Sequence, residues 1–452
     1  MESRDPRFKV HRRMVDGLMS PEFINEVAGP HVCRSTAELV RLWEMKRVRA
    51  DGRPFDALRD LYMMTLDMIS SVAFNMDSSK ASLRREIEAI QQHGNGFRIS
   101  KDGSIHFQPA PTDPDNEALF DIAKMISIAQ SSPWPTLAQW LALLNPFNLE
   151  HARAFFRRRS LLQHQTALSL HRLTSVDEQT TPKSALEYLL RQEQKAAESA
   201  SRAPEFYSPA IRDEVLGYLL AGHDTTATVL AWFVKYMTRH QDVQKRLRQS
   251  LQDAHAAARA DGRLPTAFEI ASTPVPYLDA VIEETLRCAS VATLIVREAT
   301  CATEILGYHI PKGTKIMIPL TGPSITEPAL AIPDSVRPAV YGKIEDRLKP
   351  WLVEDIGEYN PDRWLILHTD ALGGQTVSFN PQAGPNLAFS TGPRQCFGKK
   401  QAQLQLKTTA TVLLLEFVFE AVEGPLNGWE IEERLVNLPR QCNVKLSRAK
   451  DV

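Results

Sequence analysis

The sequence predicts a mainly α-helical fold with small β-sheets, built as one large domain over residues 1–452. Long stretches place apolar residues three and four apart, the helical signature. Short β-rich runs are few and grouped. No low-complexity linker or internal repeat divides the 452 residues. Helical periodicity runs through Asp56 to Phe74, Glu117 to Gln130, Lys183 to Gln192, Arg212 to Arg239, Val243 to Ala260, Leu278 to Cys288 and Lys400 to Phe419. The clearest strand region is Ala292 to Ile318, where Gly307 separates two β-rich runs in a hairpin-like pattern. Leu320 to Pro361, rich in Pro and poor in periodicity, reads as irregular chain, which in compact proteins usually supports a site.

Composition excludes several function classes. With 53 basic and 54 acidic side chains and a net charge of -1, the chain lacks the positive field of a nucleic-acid binder. A hydrophobic fraction of 43% and a charged fraction of 24%, with 21 glycines and 29 prolines, describe a globular protein. No run approaches the roughly 20 apolar residues of a spanning helix. Met1 to Arg13 is charged where a secretion signal needs an apolar run. The five cysteines, Cys33, Cys288, Cys301, Cys396 and Cys442, are scattered and form no CxxC pair. That pattern indicates a reducing, intracellular compartment and neither a disulfide framework nor a zinc knuckle.

Two surface features have ordinary readings. Arg157-Arg158-Arg159 is most simply a solvated helix face. Ser132 to Phe147, with Trp134 and Trp140 among apolar residues, suits either core packing or peripheral contact with a membrane, where indoles favour the interface.

Chemistry concentrates at Cys396. The chain there reads Phe389-Ser390-Thr391-Gly392-Pro393-Arg394-Gln395-Cys396-Phe397-Gly398, followed by helical periodicity. Gly392 and Pro393 make a tight turn, and Gly398 clears space for a flat group against the backbone. A cysteine at the start of a helix has its thiolate favoured by the macrodipole and the free N–H groups. Such a thiolate is an iron ligand or a nucleophile. The other four cysteines read as buried, inert residues.

The segment matches F-x-x-G-x-R-x-C-x-G at every specified position, and so resembles the haem-binding loop of the cytochrome P-450 family. Further motifs of that family follow over nearly the whole chain. Ala221-Gly222-His223-Asp224-Thr225-Thr226 resembles the oxygen-activating helix. The resemblance implies that Gly222 leaves room for dioxygen and that Asp224 and Thr225 are the catalytic pair delivering protons. Glu284-Thr285-Leu286-Arg287 with Pro361-Asp362-Arg363-Trp364 resembles the family's buried triad, here Glu284, Arg287 and Arg363, which braces the cysteine loop.

By the same resemblance Cys396 ligates the iron of haem b, with Phe389, Gly392 and Gly398 shaping the loop. Arg12, Arg297 and Arg394 are expected to hold the propionates, since a guanidinium pairs bidentately with carboxylates. Arg12 falls on the family's W-x-x-x-R motif, but Phe8 stands where the family has Trp, removing one indole donor. Ala221, Thr225, Thr293, Leu294 and Ile295 are expected to face an apolar small-molecule substrate.

The family fold, N-terminally shortened, is implied, because a membrane anchor, the first helices and most of one sheet ordinarily precede that motif. An open sheet edge and an uncovered pocket are then expected. The spacing from Glu284 to Cys396 is also long for the family, with the excess between Leu320 and Leu348.

The sequence style is similar to fungal, microsomal-type members, many of which tailor secondary metabolites. The implied activity is a haem-thiolate monooxygenase whose thiolate promotes O–O cleavage, as thiolate ligation of haem does throughout that family. Its electrons come from NADPH through a cytochrome P-450 reductase, with Lys399, Lys400 and Arg13 as a docking face. The implied location is the surface of the endoplasmic reticulum. Two alternatives stand beside it: a truncated, non-catalytic relative, and an isomerase or dehydratase that needs no reductase.

Overall fold

The computed structural model describes residues 6–76, 81–93, 96–174, 181–328, 332–333, 335, 351, 355–370, 373–433 and 436–450. Helices come first: α1 (Pro6–Val15), α2 (Gly29–Ala50), α3 (Leu58–Phe74), α4 (Ser82–His93), α5 (Pro114–Gln130), α6 (Pro135–Leu143), α7 (Glu150–Thr174) and α8 (Ala185–Ser199). There follow α9 (Pro209–Arg239), α10 (Gln241–Ala254), α11 (Ala256–Ala260), α12 (Ala267–Ser272), α13 (Pro276–Ala289), α14 (Pro323–Thr326) and α15 (Lys399–Glu416). The mainly helical expectation is met.

The central pair is α3 against α9. Helix α3 is buried along almost its whole length, and the C-terminal half of α9, Thr226 to Thr238, is buried on every face. Helices apolar all round belong in the interior of a large protein. At 31 residues α9 spans about 46 Å, long enough to cross the molecule. It starts where Ser208 accepts a hydrogen bond from the Ile211 N–H and Pro209 occupies the first turn. Helix α3 stops at Asn75 in the left-handed region, φ 53°.

The largest sheet has five strands. β1 (Phe55–Asp56), β2 (Phe97–Ile99) and β3 (Ile105–Phe107) precede α5, while β10 (Phe417–Glu420) and β13 (Asn443–Arg448) close the chain; their order is β10-β13-β1-β3-β2. Trp43 of α2 fixes this sheet to the helices, edge-on to Phe55 and Phe419 and tilted against Phe417. Its indole N–H donates to Asp60 Oδ2 at 3.0 Å, and Lys46 Nζ lies 2.7 Å from both Asp60 oxygens, so a buried charge is paired and hydrogen-bonded.

The strand region after α13 forms two antiparallel pairs, β4 (Leu294–Glu298) with β7 (Lys315–Pro319), and β5 (Thr303–Ile305) with β6 (Tyr308–Ile310). Leu306 and Gly307 carry positive φ at the hairpin turn, as the glycine there predicts. β8 (Leu365–Thr369) pairs with β9 (Gln375–Phe379), and β11 (Ile431–Glu433) with β12 (Asn437–Pro439).

Two boundaries differ from expectation. Val243 to Ala260 is two helices, broken at His255 (φ -113°, ψ 31°). Lys400 to Phe419 is helical only to Glu416; Phe417 and Phe419 then alternate inward as strand residues, because their rings complete the cluster around Trp43. Within the irregular Leu320 to Pro361 stretch Pro323–Thr326 is a single helical turn, and most of the rest, including most of the Leu320 to Leu348 excess, lies outside the described residues. Among the described residues no helix is long and apolar enough to cross a membrane.

Candidate active site

The cysteine loop is closed by its own backbone. The Cys396 N–H donates to Phe389 O at 2.8 Å, the Gln395 N–H to Gly392 O at 3.0 Å and the Ser390 N–H to Leu387 O at 2.7 Å. Gly392 has φ +74°, so the turn requires the glycine found there. Helix α15 begins three residues past Cys396, with Gly398 as its N-cap. The thiol therefore precedes the first helical turn. Burial pushes its pKa up, against the Gly398 N–H, Arg12 and Lys399, which pull it down. The expected thiolate-favouring shift is outweighed by desolvation.

Cys396 opens on a cavity of about 280 Å³, lined chiefly by apolar surface from α9, α15 and the loop. Ala221, Gly222, Thr225 and Thr226 of α9 form one wall, and Phe389, Cys396, Phe397 and Gly398 the facing one. A Cβ placed on Gly398 would meet nothing within 4 Å, so the glycine faces open space against which a flat group fits. Gln401 and Gln405 add polar atoms to the lining, and their buried Nε2 atoms have no protein partner among the described residues.

Three guanidiniums reach this loop. Arg297 Nη2 donates to Ser390 Oγ at 2.6 Å. Arg12 stacks over the Phe397 ring at 4.5 Å, and Arg394 over the Phe8 ring at 3.9 Å. Phe8 thus supports an arginine by cation–π contact at the position where the family's motif has Trp. The residues present fit a haem: a thiol beside the cavity, a glycine cradle and three arginines able to take two carboxylates.

On α9, Thr225 lines the cavity and its Oγ1 donates to Ala221 O at 2.7 Å. Asp224 does not appear among the described lining residues; Tyr62 Oη of α3 donates to its Oδ1 at 2.9 Å. Gly222 lines the cavity and also meets α3. An added Cβ would sit 2.5 Å from Ile69 Cδ1, so its missing side chain lets α3 and α9 approach closely.

The triad assembles. Arg287 Nε and Nη2 donate to Glu284 Oε2 and Oε1, both at 2.8 Å, and Arg363 Nε donates to Oε1 at 3.0 Å. Trp364 Nε1 adds a donor to Oε2 at 2.9 Å, a partner that the motif's last letter spells but sequence reasoning left unused. Arg287 also donates to the carbonyls of Ile325, Ile356 and Glu358, tying α13 to the segment leading into β8. The pairing Glu284–Arg287–Arg363 is buried and fully hydrogen-bonded, which is what makes a buried charge tolerable.

Thr293, Leu294 and Ile295 are not brought into the cavity wall; Leu294 is exposed at the start of β4, whose outward face also carries Val296. Arg13 is exposed on α1, Lys399 Nζ lies 5.3 Å from the centre of the Phe389 ring, and Lys400 Nζ donates to Met19 O at 3.3 Å. Sequence reasoning missed Tyr62, Tyr218 and Trp364. Tyr218 donates to Gln401 Oε1 at 2.6 Å, and nothing local in the sequence places it beside α15.

The sequence pattern of the family described as Cytochrome P-450 matches residues 1–326 and 355–445. The chain is 34% identical to the cytochrome P-450 monooxygenase TRI13 of Fusarium sporotrichioides, covering 99% of this chain and 78% of that protein. It is 32% identical to the cytochrome P-450 monooxygenase GME11363 of Pestalotiopsis microspora over 98% and 76% of the two chains. With xilC of Penicillium crustosum, also a cytochrome P-450 monooxygenase, it shares 32% identity over 93% and 71%. The crystal structure of the cytochrome P-450DA haem domain superposes with a TM-score of 0.65 at 17% identity, over 99% of this chain and 78% of that one, which is a likeness of fold. A family match over most of the chain and relatives above 30% identity along nearly its full length decide the assignment, and the chain belongs to the cytochrome P-450 family of haem-dependent monooxygenases.

Proposed function

We propose that this chain, acting as one domain, is a haem-thiolate monooxygenase that places one oxygen atom of O2 into an apolar small molecule of fungal secondary metabolism. The observation that carries the reading is the cavity on which Cys396 and Thr225 meet from facing elements. Cys396 Sγ would hold the haem iron, and bound haem supplies the oxygen activation that no side chain can. Arg12, Arg297 and Arg394 would bind and orient the propionates, and Phe389, Gly392 and Gly398 would shape the surface that receives the haem.

Thr225 holds a proton at Oγ1, at present given to Ala221 O. Asp224 is the acid that replaces it. Ala221 and Thr225 remain the substrate-facing residues; the cavity does not draw on Thr293, Leu294 or Ile295. The balance consumes O2, two electrons and two protons, and yields the oxygenated product and water. The electrons come from NADPH through a cytochrome P-450 reductase docking at Lys399, Lys400 and Arg13.

Trp134, Trp140 and Leu144 are exposed by 70%, 57% and 71%, and Phe147 by 97%. So large an apolar face supports peripheral contact with the endoplasmic reticulum membrane. The test is reconstitution with the reductase under isotopically labelled O2. One labelled oxygen per product, and none without NADPH, supports monooxygenation. Product formed without NADPH would move the assignment to an isomerase or dehydratase.

A further inference from the structure

Two hydrogen bonds described for Asp224 run to residues outside the cavity lining, Tyr62 of α3 and Thr228 of α9. Tyr62, on the neighbouring helix α3, donates its phenolic hydrogen to Asp224 Oδ1 at 2.9 Å. Its oxygen also lies 3.0 Å from Thr228 Oγ1, and Thr228 Oγ1 donates to the Asp224 carbonyl at 2.9 Å. Three contacts thus share two hydroxyl hydrogens, because a tyrosine and a threonine have one each. Thr228 is fully buried and Tyr62 only partly so, and the ring of His223 stands edge-on to Tyr62 at 5.2 Å. Close packing of α3 on α9, which Gly222 permits, is what brings the phenol within reach.

We propose that Tyr62 is the positioning residue of Asp224, holding its carboxylate on the α3 side of α9 and out of the cavity that Thr225 lines. The proposal rests on the reading of Asp224 and Thr225 as the proton-delivering pair. While Tyr62 holds Oδ1 the side chain is restrained toward α3, so passage of a proton from Asp224 to Thr225 Oγ1 is favoured when that hydrogen bond opens. The returning carboxylate takes its next proton from solvent at the partly exposed Tyr62 edge, and no bond other than O–H is made or broken. A hydrogen bond to a charged group biases such an equilibrium by roughly ten-fold or more toward the held arrangement. Tyr62 therefore restrains proton delivery, and its removal speeds it.

Tyr62→Phe, Asp224→Asn, Asp224→Ala, the double variant of Tyr62→Phe with Asp224→Ala, and Thr228→Val test this. In thermal unfolding of the haem-loaded, carbon monoxide-bound protein, Tyr62→Phe and Asp224→Ala, which removes the acceptor, should be non-additive, whereas additive effects overturn the contact itself. In turnover with reductase, Tyr62→Phe should lower the solvent deuterium isotope effect toward one. Asp224→Asn should slow turnover and raise that effect, and Thr228→Val, which leaves the phenol on the carboxylate, should match the parent protein. An unchanged isotope effect in Tyr62→Phe, beside a changed one in Asp224→Asn, overturns the role of Tyr62 alone. An unchanged effect in Asp224→Asn removes the acid's assignment on which the proposal stands.

Discussion

Cys396 and Thr225 lie 171 positions apart in the chain and share one cavity. Each residue there is checked by a different loss. Thr225→Ala removes the hydroxyl of the proposed pair, which lines the cavity; reductase-supported turnover should divert electrons to peroxide, read as hydrogen peroxide per NADPH consumed. Gly398→Val fills the open space beneath the proposed ring plane. It should weaken haem retention by about 1–3 kcal/mol, the usual cost of overpacking, read as haem bound per chain. The cysteine loop was legible to the residue because turn chemistry and ligand type are local. Tyr62 was not, since its partner lies 162 positions away and no motif joins them.

At the scale of elements, the triad ties α13 to the segment that leads into β8. Glu284 accepts from Arg287, Arg363, Trp364 and the Asn360 N–H, so α13 and the Pro361–Trp364 turn close on a single carboxylate. Glu284→Ala strands two buried guanidiniums and should cost about 3–5 kcal/mol in urea unfolding, whereas the same change at a solvent-exposed pair such as Arg246–Asp362 should cost less than about 1 kcal/mol. Equal costs would remove the bracing role.

The helices read from sequence are those with long apolar periodicity, α3, α9 and α13 above all. Helix α7 escaped because much of its surface faces solvent and charges interrupt its apolar face. β1 is two residues long and exists only through its pairing with β3 and β13, which no local pattern encodes. The end of α15 was misplaced for a tertiary reason, the demand of the Trp43 cluster for two phenylalanine rings.

For the whole molecule, stability should depend on pH through a few buried groups of opposite sign. Burial lowers His31 and His223 from 6.5 to about 4. The unfolded chain then binds more protons than the folded one between those values, so their contribution is present above pH 6.5 and lost as pH falls toward 4. Asp67, whose oxygens cap α4 by accepting from the Ser82 and Leu83 N–H groups, is raised by burial from 3.8 to about 6. Its contribution runs the other way, present at low pH and lost as pH rises through 6. Measured by thermal midpoint between pH 4 and 6.5, His31→Asn with His223→Asn should flatten the rise of stability with pH, and Asp67→Asn should steepen it. Parallel curves for all three proteins would contradict these environments. The exposed apolar face of α6 makes a separate prediction at this scale: Trp134→Ala with Trp140→Ala should reduce sedimentation with phospholipid vesicles by roughly ten-fold or more, each lost indole removing apolar area from the interface.

The most direct test of the central claim is the carbon monoxide difference spectrum of the reduced protein beside Cys396→Ala. A thiolate-type Soret band present in the parent and absent from the variant is the predicted result. The same band in both proteins, or no thiolate-type band in the haem-loaded parent, would contradict the assignment of Cys396 as the iron ligand.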